Sequence, residues 1–264
     1  KKVELKYGFK DWDSVCAAVL VDADGKIIDV KIDEAQTKPD LKKDNGDVSD
    51  LRTKLEKKED YGMKSASPIG KEWYEQVEAF EAWAKGKTAE EVKAGIGEDG
   101  YASDADLKAG CTIYANGFAT VTAKAVENAT DCGAKATDTL KLGMTTSKYY
   151  ESNETNLQYD TDYAIVTVDA DGKVTSCIID ASQAKCTIAD GKFTVEKGAF
   201  KSKKELGDDY AMKSASPIGK EWYEQAAAYE QWCIGKTADE IKGCYGEDMS
   251  ASDADLKAGC TITI

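Results

Sequence analysis

At 264 residues the chain is long enough for two domains of ordinary size, and 35 Lys+Arg against 49 Asp+Glu give it a formal charge of −14. That sign repels a phosphate backbone and excludes nucleic acid as a partner. The absence of histidine removes the commonest metal ligand and any Ser-His or Cys-His nucleophile, while eight cysteines without a Cys-x-x-Cys pair exclude thioredoxin-like chemistry, zinc ribbons and c-type haem attachment.

Taken in chain order, the apolar, partly alternating runs 16–21 and 27–32 predict a β-hairpin around Asp22-Ala-Asp-Gly25, a turn that needs Gly or Asp for positive φ. The same aspartates faintly suggest a calcium loop. Position 33 is Asp where an EF-hand spacing needs Glu, so the plain turn is the better reading. Segment 38–60 is charged and carries no clear period. Ser67-Pro68 then reads as a helix N-cap and first-turn proline, after which Ile69, Trp73, Val77, Phe80 and Ala84 recur on one helical face that Gly86 ends. Trp73 and Trp83, with Trp222 and Trp232 further on, read as core residues of such helices. Thr88-Ala-Glu-Glu91 is a capping box that opens a second, shorter helix. Residues 121–129 predict a third helix, followed by a Gly/Ala/Thr-rich connector to about Lys141. Beyond it, 165–168 and 174–179 repeat the hairpin, and Thr237-Ala-Asp-Glu240 repeats the capping box. No apolar run approaches the roughly 18 residues of a membrane span, so a soluble chain is expected. Its opening on Lys1-Lys2, without Met, suggests a trimmed product.

These echoes are a tandem duplication. At an offset of 149 residues, 39 of the 53 positions in 61–113 are identical in 210–262. Two blocks match throughout, 63–76 with 212–225 and 102–113 with 251–262, and Val21–Lys26 returns as Val168–Lys173. The predicted fold class is therefore α+β: two homologous domains, 1–135 and 136–264, each a small, mainly antiparallel sheet packed on helices.

Near the end of each unit stands Asp106-Leu-Lys-Ala-Gly-Cys-Thr112, repeated as Asp255-Leu-Lys-Ala-Gly-Cys-Thr261. A carboxylate, a glycine and a hydroxyl at fixed spacing resemble the attachment motif of covalently flavinylated FMN-binding domains, roughly Asp-x-x-Ser/Thr-Gly-Ala-Ser/Thr. In those domains the last hydroxyl forms a phosphoester to FMN. Ala109 and Ala258 depart from the motif at its Ser/Thr position, and Cys111 and Cys260 at its Ala position. A phosphoester needs a hydroxyl on accessible backbone, and glycine lets the chain approach a bulky donor. In this reading Thr112 and Thr261 carry FMN, Gly110 and Gly259 give access, and Asp106 and Asp255 serve recognition.

The blocks VDADGKI (21–27), YGMKSASPIGKEWYEQ (61–76), GKTAEEV (86–92) and DADLKAGCTI (104–113), in that order, resemble the PplA-like surface lipoproteins of Gram-positive bacteria. That resemblance implies an extracellular electron-transfer protein with two covalent FMN groups, one per repeat. It also implies maturation by a separate flavin transferase using FAD and a divalent metal. The implied electron donor is a membrane quinone or NADH dehydrogenase system, and the acceptors are extracellular, such as ferric iron. The implied location is the outer face of the cell membrane, lipid-anchored through a segment that this chain does not contain. Two other classes stay open: a cell-surface binding or structural module with a decayed flavin motif, and a non-covalent flavin reductase.

Further candidates follow from the duplication. Ser65 and Ser67, with Ser214 and Ser216, lie in an identical segment ahead of a helix, where hydroxyls and backbone N–H groups suit a phosphate or a flavin carbonyl edge. Tyr74 and Tyr223, beside the apolar stripe, suit a solvent-side flavin contact. Cys111 and Cys260 occur in both copies, Cys16 and Cys132 only in the first, and Cys177, Cys186, Cys233 and Cys244 only in the second. Cysteines gained together predict pairs, Cys233 with Cys244 and Cys177 with Cys186 across a short loop, with free thiols as the alternative.

Overall fold

A computed structural model describes residues 4–5, 12–39, 48–153, 155–189, 192–195, 201–247 and 249–263. Part of the charged segment, 40–47, lies outside the described residues. The architecture is α+β. Packing divides the chain into one unit of Trp12–Thr37 with Asp50–Thr145, and another of Thr146–Ile264 with Lys1–Asp11 and Lys38–Ser49.

The first unit opens with β2 (Trp12–Val21) and β3 (Ile27–Thr37), which follow β1 (Glu4–Leu5) in the chain and pair antiparallel with Val19 opposite Val30. Asp22 makes the turn: its Oδ1 accepts from the N–H groups of Asp24 and Lys26 at 3.0 and 2.9 Å, and Gly25 takes a φ of 74°. A carboxylate closing its own turn is what Asp does best in such loops. After the hairpin come α1 (Lys54–Lys57), a 3-10 turn over Lys58–Tyr61, α2 (Trp73–Ala84), α3 (Ala89–Ala94), α4 (Ala105–Gly110) and α5 (Asn116–Glu127). Thr53 and Glu56 cap α1 reciprocally, as Thr88 and Glu91 cap α3.

The core of this unit lies between the sheet and α2. Ile27, Val30 and Ile32 from β3 meet Trp73, Val77, Phe80 and Ala84 from α2, and Phe118 of α5 closes the cluster. The Phe118 ring stands edge-on to Trp73 and Phe80, with centroids 5.8 Å away in both cases. Burying such a side chain is worth about 1.5–3 kcal/mol, so this stripe, rather than helix propensity, fixes α2. Glu81 ties helix to sheet from the buried side: its Oε1 accepts from the Ile32 N–H at 2.8 Å and its Oε2 from Lys31 Nζ at 3.1 Å.

The second unit carries a larger sheet, of five strands against two. Its sheet has the order β1-β7-β6-β5-β4, from β4 (Thr139–Lys148), β5 (Asn156–Val168), β6 (Val174–Ala189), β7 (Lys192–Val195) and β1. Then follow α6 (Lys203–Leu206), a 3-10 turn over Gly207–Tyr210, α7 (Trp222–Cys233), α8 (Ala238–Lys242) and α9 (Ala254–Gly259). Glu230 repeats Glu81, accepting from the Ile179 N–H at 2.7 Å and from Lys204 Nζ. Ser202 and Glu205 cap α6 as Thr53 and Glu56 cap α1.

Three sequence expectations need correction. First, the Ser67-Pro68 pair does not start a helix. Gly70 turns left-handed with φ of 64°, and α2 starts at Trp73 behind a capping box of Glu72 and Glu75, with α7 built likewise on Glu221 and Glu224. Second, the third helix begins at Asn116 rather than 121, and the connector ends in strand β4 from Thr139. Third, the Cys177–Cys186 pair fails. Cys177 and Cys186 lie on one uninterrupted strand, about 30 Å apart at the strand rise, whereas a disulfide joins Cα atoms under about 7 Å apart. Cys233 and Cys244 are thiols in separate core clusters.

Candidate functional site

The identical segments of the two repeats converge on one buried amide. Gln76 sits on the core face of α2, fully buried, one turn after Trp73. Its Oε1 accepts from the Thr112 N–H at 2.8 Å and from Thr112 Oγ1 at 3.1 Å. Its Nε2 donates to Ser67 Oγ at 3.2 Å and to the Lys71 carbonyl, also at 3.2 Å. Gln225 does the same in the second repeat, holding the Thr261 N–H at 2.7 Å, Thr261 Oγ1 at 3.0 Å, Ser216 Oγ at 3.0 Å and the Lys220 carbonyl at 3.2 Å. Every polar atom of the amide is thus matched, the condition under which burying it is tolerated.

The loop ahead of α2 is pinned from inside at a second point. Glu72, buried, accepts from the N–H groups of Met63 and Lys64 at 2.8 and 3.0 Å, and Glu221 accepts from Met212 and Lys213 at 2.9 and 3.0 Å. Two adjacent helix turns therefore hold loop 63–71, and one of them also holds the threonine. This ties together the two segments that the duplication keeps identical.

On the other side, Thr112 leaves the end of α4. That helix is capped by Asp104, whose Oδ1 accepts from the N–H groups of Asp106 and Leu107, both at 3.0 Å, and from the Trp83 indole at 3.0 Å. Asp253 likewise caps α9 and accepts from the Trp232 indole at 3.1 Å. These bonds, the Leu107 N–H first, hold the Asp104 carboxyl below the usual range. Gly110, the last residue of α4, faces α2 so closely that a Cβ would come within 2.6 Å of the Ala79 Cβ, and Gly259 stands 2.7 Å from Ala228 by the same measure. The motif glycine thus has a packing reason: it brings the chain close enough to α2 for Gln76 to reach the next residues. Cys111 between them is fully buried, and burial pushes its thiol up to about 11, so it is a protonated core residue.

Within each repeat the threonine, serine and glycine therefore come together: Thr112, Ser67 and Gly110 in the first, Thr261, Ser216 and Gly259 in the second. The other sequence candidates do not join them. Asp106 and Asp255 are exposed in the first turn of their helices, and the capping carboxylate is two residues earlier. Ser65 and Ser214 lie exposed on the outer side of the loop. Tyr74 is two residues from Gln76, about 200° around the helix, and so points away from the threonine. Its hydroxyl donates to Glu59 at 2.9 Å, which holds its pKa up to about 12; Tyr223 donates to Asp208 at 3.1 Å. The sequence reading missed Gln76 and Gln225. A signal existed: a polar residue on the buried face of an apolar stripe, identical in both copies.

Among the described residues, no group of three or more acidic or cysteine side chains could hold a metal ion, and no helix is long and apolar enough to cross a membrane. Over 58 residues the chain is 38% identical to a chlorophenol reductase of Desulfitobacterium hafniense, a match that covers 22% of this chain and 18% of that protein. No family model and no solved structure matches.

Proposed function

We propose that the protein is an extracytoplasmic electron carrier that holds one FMN on each repeat through a phosphoester to Thr112 and Thr261. The observation that supports this best is the twofold repetition of one threonine held at its N–H and its hydroxyl by a buried glutamine. A core threonine needs only one partner for its hydroxyl; here a whole helix face and a pinned loop are organised around it, identically twice.

The residues fit such a group. Esterification removes only the hydroxyl hydrogen. Thr112 and Thr261 are half-buried, and loss of that hydrogen leaves the N–H bond to Gln76 or Gln225 in place. When bound, FMN supplies one- and two-electron redox chemistry. The chain's own part is to fix the attachment point. Gln76 and Gln225 orient the threonine, Ser67 and Ser216 complete the amide's partners, and Gly110 and Gly259 set the separation of the two helices. The partial likeness to a protein named as a reductase agrees with a redox role, as does the resemblance to PplA-like lipoproteins. On that resemblance a flavin transferase loads the protein, a membrane quinone or NADH dehydrogenase system reduces it, and extracellular acceptors such as ferric iron oxidise it.

The test is intact mass after coexpression with a flavin transferase. Two FMN phosphoesters should be added, with Thr112→Ala and Thr261→Ala each removing one. A colourless protein of unmodified mass would favour a binding or structural module, and flavin released on denaturation would favour a non-covalent reductase.

A further inference from the structure

The second repeat carries chemistry that the first does not, away from the threonine. Cys177 on β6 and Cys233 at the end of α7 are both buried and share one core cluster with Val174. They are far apart in sequence and on different elements. In the first repeat the same two positions are Val30 and Ala84, which belong to one core cluster and are completely buried. Both members of this buried strand–helix pair are thus cysteine in one copy and aliphatic in the other. A single replacement would leave a lone thiol in an apolar pocket. The double replacement puts two sulfurs side by side.

We propose that Cys177 and Cys233 form a disulfide between β6 and α7, a redox-responsive cross-link that the first repeat lacks. The two side chains already pack in one buried cluster, and a bond requires their sulfurs to close to about 2 Å. Cys233, the last residue of α7, is the attacking group, because fraying of that turn exposes its thiol first. The oxidant is a disulfide donor, taken here as oxidised glutathione. The Cys233 thiolate attacks one donor sulfur, the donor S–S bond breaks, and one reduced thiol leaves with a proton. Cys177 then gives up its proton and attacks the Cys233 sulfur of the mixed disulfide, releasing the second reduced thiol. Two protein thiols lose two electrons and two protons, and the donor gains both. Because both sulfurs are buried, exchange proceeds through fraying of the last turn of α7, where Cys233 is the terminal residue. Cross-linked, α7 is anchored at the end opposite Gln225. The proposal stands independently of flavin attachment.

The experiment equilibrates the full chain with oxidised and reduced glutathione, blocks remaining thiols, and maps cross-links by mass spectrometry. One peptide pair joining Cys177 to Cys233 is expected, with Cys244 and Cys260 alkylated after denaturation. A Cys233–Cys244 bridge, stable glutathione adducts on Cys233, or thiols throughout would overturn it. The double variant Cys177→Val with Cys233→Ala uses the first repeat's residues and keeps the core filled. Its melting temperature should ignore reductant, whereas that of the oxidised wild type should fall; a wild type equally indifferent to reductant would also overturn the proposal.

Discussion

Replacing Gln76 by Leu tests the site at its centre. The substitution nearly conserves volume but removes an amide with five partners: the Thr112 N–H and Oγ1 on one side, and Ser67 Oγ, the Lys71 carbonyl and Met63 Sδ on the other. Thr112 and Ser67 are half-buried, so their hydroxyls regain water at small cost. The Thr112 N–H and the Lys71 carbonyl face the fully buried side chain and are left unpaired. At about 1–3 kcal/mol for each of these two unsatisfied groups, the loss is about 2–6 kcal/mol. Thr112→Val removes only the hydroxyl's share, about 0.5–1.5 kcal/mol. Denaturant unfolding of the full chain, followed by tryptophan fluorescence, measures both, with Gln225→Leu as the matching change in the second repeat. Gln76→Glu separates the two halves of the network: it keeps the acceptor for Thr112 but aims a carboxylate oxygen at the Lys71 carbonyl. It should destabilise while leaving Thr112 in place. A Gln76→Leu protein within about 0.5 kcal/mol of wild type would refute the reasoning, because the amide would then not be what holds the threonine.

Other outcomes follow from the same geometry. Gly110→Ala drives a methyl to within 2.6 Å of the Ala79 Cβ and should cost about 1–3 kcal/mol in a chemical melt, with Ala79→Gly in the same chain restoring part of it. Ala211 holds a φ of 58° where the first repeat has Gly62 at 75°, so Ala211→Gly should raise stability by about 1 kcal/mol, visible as a higher melting temperature. Asp104 has a folded pKa below its ordinary 3.8, so its contribution is complete above 3.8 and disappears as pH falls through the lower folded value. Acid titration of Trp83 fluorescence should therefore show a transition below pH 3.8 that Asp104→Asn, which keeps a capping oxygen, abolishes.

Local features of this fold were legible in the sequence because short-range chemistry decides them. The Asp-Gly turns, the Thr88 and Thr237 capping boxes and the apolar stripe of α2 depend on residues within one or two turns of each other. The start of α2 was misread because Glu72 is an uncommon N-cap; its partner Glu75 was the available clue, and Ser67 spends its hydroxyl on the loop. The cysteine pairing was misread because residue counts carry no register, and Cys177 and Cys186 share a strand longer than the hairpin pattern suggested. Gln76 was missed for a different reason: its partner Thr112 is 36 residues away, and only the folded chain shows that the two identical blocks meet.

The central claim is most directly tested by locating the modification itself. After coexpression with a flavin transferase, digestion and mass spectrometry should find FMN phosphate on the peptides containing Thr112 and Thr261 and on no others. Gln76→Leu should reduce loading at Thr112 while Thr261 stays fully loaded. Flavin on a different residue, or loading of Thr112 that does not respond to Gln76, would contradict it.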